Sequence, residues 1–505
     1  MNEILKKSKY IVTFFTTFLI GVVSQGMGLF NKFSFHDDAC ALFGVGATYK
    51  SGRWMLDIIS NLEVLIYGDG HYSIPLINGG LTIICISITA CCLVYLIDID
   101  NKLMCGFTGA LMISFPVVTS MFGYMFTVHY YALSFLMGTI GVIFLCKWND
   151  IRINIAGIAL MTASIGIYQA TFPYFASILL LYCLHDVVII NHEESFIRLF
   201  LSVLKKGLYA AISILTYLLI NKLYLKYKGA ELGEYSSSYS VSSVSVKEYI
   251  KRIFFSYREF FIPTKESTNY MYPDNIIYLY YLIAVATVIM LVAILINKNK
   301  NRVLMAIIIL CIFPLAVNLI FVMVDPSEVH SLMVYSQIST FLLFIWCVDK
   351  INIEIVKNKK IIENFATFIL ILLLVMYCRF DNKCYFKAAF AQQEAISYFT
   401  TLITQIKSTE GYNDELPVSF INKESLYDES LWEMDDMGIR ILPYYTTSGI
   451  INDYAWNYYI RNWCGYDPVT VDGNEFKDND EVIKMPEYPD DGSIKIVDET
   501  IIVKF

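Results

Sequence analysis

The sequence predicts an all-α polytopic membrane protein of about 11 transmembrane helices, ending in a small α+β domain. Three observations carry this. About eleven apolar stretches of spanning length recur between residues 10 and 378. The 505-residue chain is 56% hydrophobic and 17% charged, whereas a soluble domain is about a quarter charged. Lysine and arginine cluster on alternate connections between the apolar stretches.

Windows of about 20 residues place spans near 10–30, 75–97, 103–121, 127–147, 152–168, 171–188, 207–225, 276–296, 303–323, 333–349 and 362–378. The first follows Lys6, Lys7 and Lys9. It is long for a signal-peptide core and no small-residue cleavage site follows, so an uncleaved first helix is expected. The fifth and sixth spans are short enough to form a tilted hairpin. The connections Asp98–Lys102, Lys147–Arg152, His185–Lys206, Asn297–Arg302 and Asp349–Lys360 hold most of the basic loop residues. They are therefore read as cytoplasmic, with the N-terminus inside and the C-terminal tail outside. Two domains are expected: 1–378, the membrane bundle, and 379–505, an extracytoplasmic cap.

The outer side then receives a long loop 31–73, turns near Gly123–Phe126 and Tyr168–Thr171, a second long loop 226–275, a short loop 325–331 and the tail. Ser236–Ser245 is serine-rich. In the second long loop, Tyr249, Ile250, Ile253, Phe254, Tyr257, Phe260 and Phe261 recur at helical spacing, and Lys247, Lys251, Arg252 and Arg258 fall largely elsewhere. The pattern reads as an interfacial helix, aromatic face in lipid and cations at headgroup level, or as a helix packed on the bundle. The tail is aromatic, as in Leu442-Pro443-Tyr444-Tyr445 and Tyr454–Tyr459. Its end alternates Ile494, Ile496 and Ile501, Val503 around a turn at Asp490-Asp491-Gly492-Ser493, a hairpin signature.

The net charge is −8, and Arg379–Phe505 alone carries 11 basic and 23 acidic residues. No basic stripe exists to meet a phosphate backbone, so nucleic acid is excluded as a partner. Most of the twelve cysteines lie in apolar runs as small hydrophobes. Cys384 and Cys464 lie outside them and are candidates for a disulfide.

The candidate chemistry concentrates in the first outer loop. His36-Asp37-Asp38 follows the first span. A carboxylate there can accept a proton from an acceptor hydroxyl; the alternative is a solvated turn. One histidine without a second cluster is a poor metal set, so no metal or other cofactor is expected. In Ser51-Gly52-Arg53-Trp54-Met55-Leu56-Asp57, Arg53 can clamp an anionic group with two bonds or pair structurally with Asp57 or Asp38. Trp54 can stack on a sugar or anchor the loop. Tyr168-Gln169 can hydrogen-bond a sugar or satisfy its own turn. No phosphate-binding glycine loop, kinase set or nucleotide-sugar domain is present. An enzyme of this layout needs a donor that arrives through the membrane.

These residues resemble the serotype-converting bacterial glucosyltransferases of the Gtr type II kind, which have the GT-C membrane fold. The resemblance rests on Asp37-Asp38, Gly52-Arg53-Trp54, Gly166-Ile167-Tyr168-Gln169, Met485-Pro486-Glu487-Tyr488-Pro489 and Asp491-Gly492-Ser493-Ile494-Lys495, and spans about residues 10–505. It implies a hexose, typically glucose, carried on undecaprenyl phosphate. A separate synthase makes that donor and a flippase turns it outward. The acceptor is a surface polysaccharide or lipid-linked glycan, and the enzyme works in the bacterial cytoplasmic membrane. The resemblance also implies an acidic residue of the first outer loop as base.

The expected reaction is an inverting transfer. Asp37 or Asp38 deprotonates the acceptor, with a lean to Asp37. Arg53, helped by Lys251, Arg252 or Arg258, stabilises the departing phosphate. His36, Trp54, Asp57, Tyr168 and Gln169 contact sugar or acceptor. The rival reading is a transporter or flippase for a lipid-linked glycan, which predicts ionisable residues inside the spans.

Overall fold

The structure is a computed structural model that describes residues 2–34, 37–190, 195–233, 244–263, 276–351, 359–422 and 453–505. His36, most of the serine-rich stretch and Leu442–Tyr445 lie outside the described residues. The chain divides into two units, Met1–Asn31 with Phe43–Asn382, and Lys32–Leu42 with Lys383–Phe505.

The helices in chain order are α1 (Asn2–Phe30), α2 (Asp37–Cys40), α3 (Trp54–Tyr67), α4 (Gly80–Leu96), α5 (Lys102–Ser114), α6 (Pro116–Phe122), α7 (Val128–Lys147), α8 (Ile151–Ile167), α9 (Thr171–His185), α10 (Phe196–Lys228), α11 (Val246–Phe261), α12 (Ile276–Leu295), α13 (Lys300–Val317), α14 (Ile320–Met323), α15 (Ile338–Lys350), α16 (Lys359–Ser408), α17 (Asp453–Cys464) and α18 (Asp480–Ile483). Among the described residues, eight of the eleven expected runs sit in helical segments long and apolar enough to cross a membrane. The third run is the pair α5 and α6, bent by 41° where Pro116 starts a new helix. The fifth, α8, has 17 residues and the tenth, α15, only 13. The run containing α15 opens with two short 3-10 turns, Ser331–Met333 and Tyr335–Gln337. Irregular backbone at membrane depth is tolerated when buried in protein, and Tyr335 and Ser336 are buried.

Close helix crossings in the first unit depend on missing side chains. A Cβ on Gly109 of α5 would fall 1.7 Å from Thr17 Oγ1 on α1. Gly141 on α7 and Gly157 on α8 face each other, each Cβ position 2.9 Å from the other's carbonyl oxygen. Small residues let membrane helices approach in this way.

The basic connections gather at one end of this unit. Lys147 pairs with Asp98 at 3.1 Å, Lys206 with Asp186 at 3.0 Å, and Lys9 and Lys350 both reach Asp100. His185 lies 3.4 Å from Asp98 through Nε2, while its Nδ1 accepts from Trp346 at 3.0 Å. The carboxylates tie the ends of α7, α9 and α15 to Lys9 within α1 and Lys206 within α10.

Helix α11 forms where the aromatic periodicity predicts it, capped by Ser245, whose side chain accepts from the Glu248 amide. Its faces are inverted relative to a soluble protein. Arg252, Ser256 and Glu259 are buried, while Ile250, Phe254 and Phe261 are exposed. Ser256 and Asn318 exchange backbone-directed hydrogen bonds at 3.2 and 3.0 Å. An exposed apolar face with a polar face turned inward is what a lipid-facing helix requires.

The second unit holds a four-stranded sheet of order β2-β1-β4-β3, with β1 Val418–Ile421, β2 Thr470–Val471, β3 Ile494–Val497 and β4 Thr500–Lys504. β1 runs parallel to β2 and β4, and β3 pairs antiparallel with β4. One sheet face packs Val418, Phe420, Ile501 and Val503 against Phe399 and Trp456; the other packs Ile421, Val497 and Ile502 on Val482 and Met485. The expected hairpin pairs Ile494 with Val503 and Ile496 with Ile501. Its turn is not Asp490–Ser493. It is Asp498-Glu499, with φ of 46° and 56°, the left-handed pair that a two-residue hairpin needs. Asp490–Ser493 closes a separate turn before β3, with Ser493 N donating to Asp490 O at 3.1 Å. Cys384 and Cys464 remain thiols.

Candidate active site

The candidate residues are divided between the two units. In the second, Asp37 and Asp38 open the four-residue helix α2. This short turn is pinned from both sides. Ala39 is fully buried in the cluster with Phe399, Trp456 and Tyr459, and its carbonyl accepts from Asn462 on α17 at 3.1 Å. The two carboxylates have different fates. Asp38 is fully buried and ion-paired with Lys32. Burial pushes the Lys32 ammonium below its ordinary range, against the pull of Asp38. Asp37 is half-buried. Asp38 is thus enclosed within its own unit, whereas Asp37 keeps part of its surface open.

In the first unit, Arg53 sits just before α3, after Gly52 at a φ of 75°. A side chain at Gly52 would collide with Gln169 and Tyr217. The Arg53 guanidinium carbon lies 5.5 Å from the Tyr168 ring and 6.0 Å from the Tyr131 ring. Those two rings stack at 4.3 Å. Stacking holds the guanidinium plane and preserves its charge. Gln169 donates to Ser51 O at 2.7 Å and to the Tyr217 hydroxyl at 3.1 Å. It thus ties the 168–170 turn to the first loop.

Packing encloses two further residues of the first loop. Trp54 is only 7% exposed, with Gly166 so close that a Cβ there would lie 2.6 Å from the indole. It packs α3 onto α8. Asp57 does not pair with Arg53. It accepts from Tyr224 at 2.7 Å and from Thr48 at 3.2 Å, and pairs with Lys228 at 2.9 Å. It joins the first loop to the end of α10.

That junction gives an acid-sensitivity prediction. Burial alone would raise the Asp57 carboxyl, but Tyr224, Lys228 and Thr48 outweigh it and hold the pKa below its ordinary value. A depressed carboxylate adds stability that is complete above the unfolded pKa of about 4 and is lost as pH falls through the folded value. The fluorescence of Trp54, taken as wild type minus Trp54→Phe, should shift red only below about pH 4. Asp57→Asn should show that shift already at neutral pH; an unshifted Asp57→Asn spectrum would remove Asp57 from the junction.

Helix α11, which carries the other candidate cations, packs on α13 and α14. Arg252 is buried and bonds Asp325 at 2.9 Å, a structural tie rather than a headgroup contact. Lys251 is 65% exposed and pairs with Glu248; Arg258 is 53% exposed and pairs with Glu259 at 2.7 Å.

Sequence reasoning missed two groups. Glu63 on α3 lies 3.7 Å from His129 Nε2 and accepts from the Tyr130 hydroxyl. His129 and Tyr130 beside it hold the Glu63 carboxyl low, while burial lowers the nearby His71. The available signal was His129, a polar residue opening a span. Asp381 is fully buried on α16, accepting from Thr119 at 2.8 Å and Gln25 at 3.5 Å. It lies beyond the last apolar run, but no helix breaker stands between that run and Gly411.

The long apolar helices are those of a membrane protein. The sequence model for glucosyl transferase GtrII matches residues 26–341, more than half of the chain. The chain belongs to that family. No curated protein and no solved structure matches it.

Proposed function

We propose that the protein moves a hexose, glucose in the first instance, from a polyprenyl-phosphate-linked donor to a surface polysaccharide or lipid-linked glycan. The reaction runs at the outer face of the bacterial cytoplasmic membrane, with the N-terminus cytoplasmic and the C-terminal unit outside. The observation that carries the reading is family membership across residues 26–341, a stretch that includes Asp37 and the stacked Arg53.

Asp37 takes the proton of the acceptor hydroxyl. The freed oxygen forms a bond to C1 of the sugar on the face opposite the phosphate. The bond from C1 to the phosphate oxygen breaks, and its electrons leave on the polyprenyl phosphate with inversion at C1. Arg53 meets the charge that builds there, and Lys251 and Arg258 add positive potential at headgroup level. Gln169, Tyr168, Trp54 and Asp57 position the loop that carries Arg53. His36 is proposed as an acceptor contact. No step is assigned to a metal or cofactor.

The decisive assay uses purified protein in lipid discs. Transfer from polyprenyl-phosphate glucose, and none from a nucleotide-linked glucose, supports the reading. Transfer from the nucleotide sugar, or movement of the lipid-linked glycan across the bilayer without transfer, overturns it. Orientation has its own expected result. A cysteine replacing Asn479 should react with an impermeant thiol reagent on intact cells, and one replacing Asn299 should not. Reversed labelling would put the N-terminus and the proposed chemistry on the opposite sides.

A further inference from the structure

A cavity of about 680 Å³ lies within the first unit, walled by α11, α12, α13 and α15. It follows α12 from Ile277 to Ile296, about 30 Å at 1.5 Å per residue. Several wall residues, such as Val288, Val292 and Ile307, are also exposed on the bundle surface. The groove therefore opens on the surface of the bundle rather than into the interior of the fold.

Its two ends differ. Toward Leu295 and Val303 the lining is aliphatic. At the other end, where α12 begins and α13 finishes, Glu259, Asn318, Gln337 and Tyr280 converge. Beside that end, α11 carries Lys247, Lys251 and Arg258, spaced to share one helix face. All three are exposed or largely so. The groove is thus a long apolar channel with polar groups and cations at one mouth.

We propose that this groove holds the isoprenoid tail of the donor lipid, with its phosphate at the mouth beside Arg258 and Lys251. The proposal rests on the donor reading above and adds where the lipid lies. Length selects the occupant. A phospholipid acyl chain fills one leaflet, roughly 15 Å, half of the hydrocarbon thickness. A groove twice that long, polar at only one end, fits a single chain long enough to cross the bilayer. Charge agrees, because a phosphate at that end meets exposed cations.

The test fills the groove without touching the packed core. Ala284 lines the cavity and is exposed on α12, and its neighbour Val285 is exposed but does not line it. Binding of sugar-free polyprenyl phosphate is measured in lipid discs for an eleven-isoprene and a two-isoprene chain, with diacyl phosphatidic acid as competitor. Ala284→Trp should weaken the long chain roughly tenfold or more, the loss from displacing two or so buried methylenes. It should leave the short chain unchanged, and Val285→Trp should affect neither. Wild-type affinity of Ala284→Trp for the long chain overturns the proposal, as does equal competition by phosphatidic acid. Sugar transfer is scored separately. Transfer with an unaffected Ala284→Trp sinks the groove alone, and long-chain binding without transfer from any polyprenyl donor sinks the enzyme reading alone.

Discussion

Asp37→Asn is expected to reduce sugar transfer by roughly 10²–10⁴-fold, the usual worth of a positioned general base, with expression and thermal stability unchanged. Asparagine keeps the size and the hydrogen bonding of the side chain but cannot accept the proton. The neighbouring change should behave differently. Asp38 is fully buried against Lys32, so Asp38→Asn takes a carboxylate away from an ammonium that burial already disfavours. Breaking one partner of a buried pair costs about 3–5 kcal/mol. Asp38→Asn should therefore lower the melting temperature of the purified protein, and Lys32→Met should do the same from the other side. Activity per folded molecule should survive in both. The measurements are a thermal melt and transfer rate on the same preparations. Near wild-type transfer by a well-folded Asp37→Asn would exclude Asp37 as the base; loss of transfer by a stable Asp38→Asn would move the chemistry to the buried carboxylate.

The separation of the two carboxylates illustrates what the sequence can and cannot carry. Hydropathy locates the helices because lipid demands continuous apolar length, and α1, α4, α7 and α12 follow directly. It misjudges α15, since a buried segment with irregular backbone is as apolar as a lipid-facing helix. The end of the last span was read at residue 378, where polarity rises. The helix continues to Ser408, because nothing in between stops the backbone and its inner face packs Phe399 and Leu402 in the second unit.

The site was legible by residue type and less so by function. Arg53, Tyr168 and Gln169 lie together in the first unit. Their partners Tyr131 and Tyr217 lie on other helices and carried no local pattern. For Trp54 and Asp57 the sequence suggests sugar or acceptor contacts and does not show which way the side chains turn. On a helix, successive residues face different directions, and both turn into packing against α8 and α10. The same limit hid Glu63 and His129, which are 66 positions apart and meet only in the fold. The rival transporter reading asks for ionisable groups in the spans; Asp381 is fully buried on α16 just past the last apolar run. Its hydrogen-bonded neighbours Thr119 and Gln25 are a local way of accommodating a buried polar group.

Arg53→Ala should lower kcat/KM for the lipid-linked donor by roughly 10²–10³-fold, comparable to the loss of one preorganised donor to a developing anion. Arg53→Lys should recover only part of it, since an ammonium keeps the charge and loses both the bidentate fork and the stacking plane. The stacked rings supply the discriminating control. If Arg53 mattered only as a partner of Tyr168 and Tyr131, Arg53→Met would fill the space and restore function. If the guanidinium meets phosphate, Arg53→Met should be as poor as alanine, and inhibition by free polyprenyl phosphate should weaken in parallel with kcat. Charge removed from a leaving-group contact affects the product lipid as well as the transition state, whereas a packing defect moves the melting temperature and leaves product inhibition alone. Wild-type product inhibition in a folded Arg53→Met would therefore leave Arg53 as a structural residue of the first loop and require another cation for the phosphate.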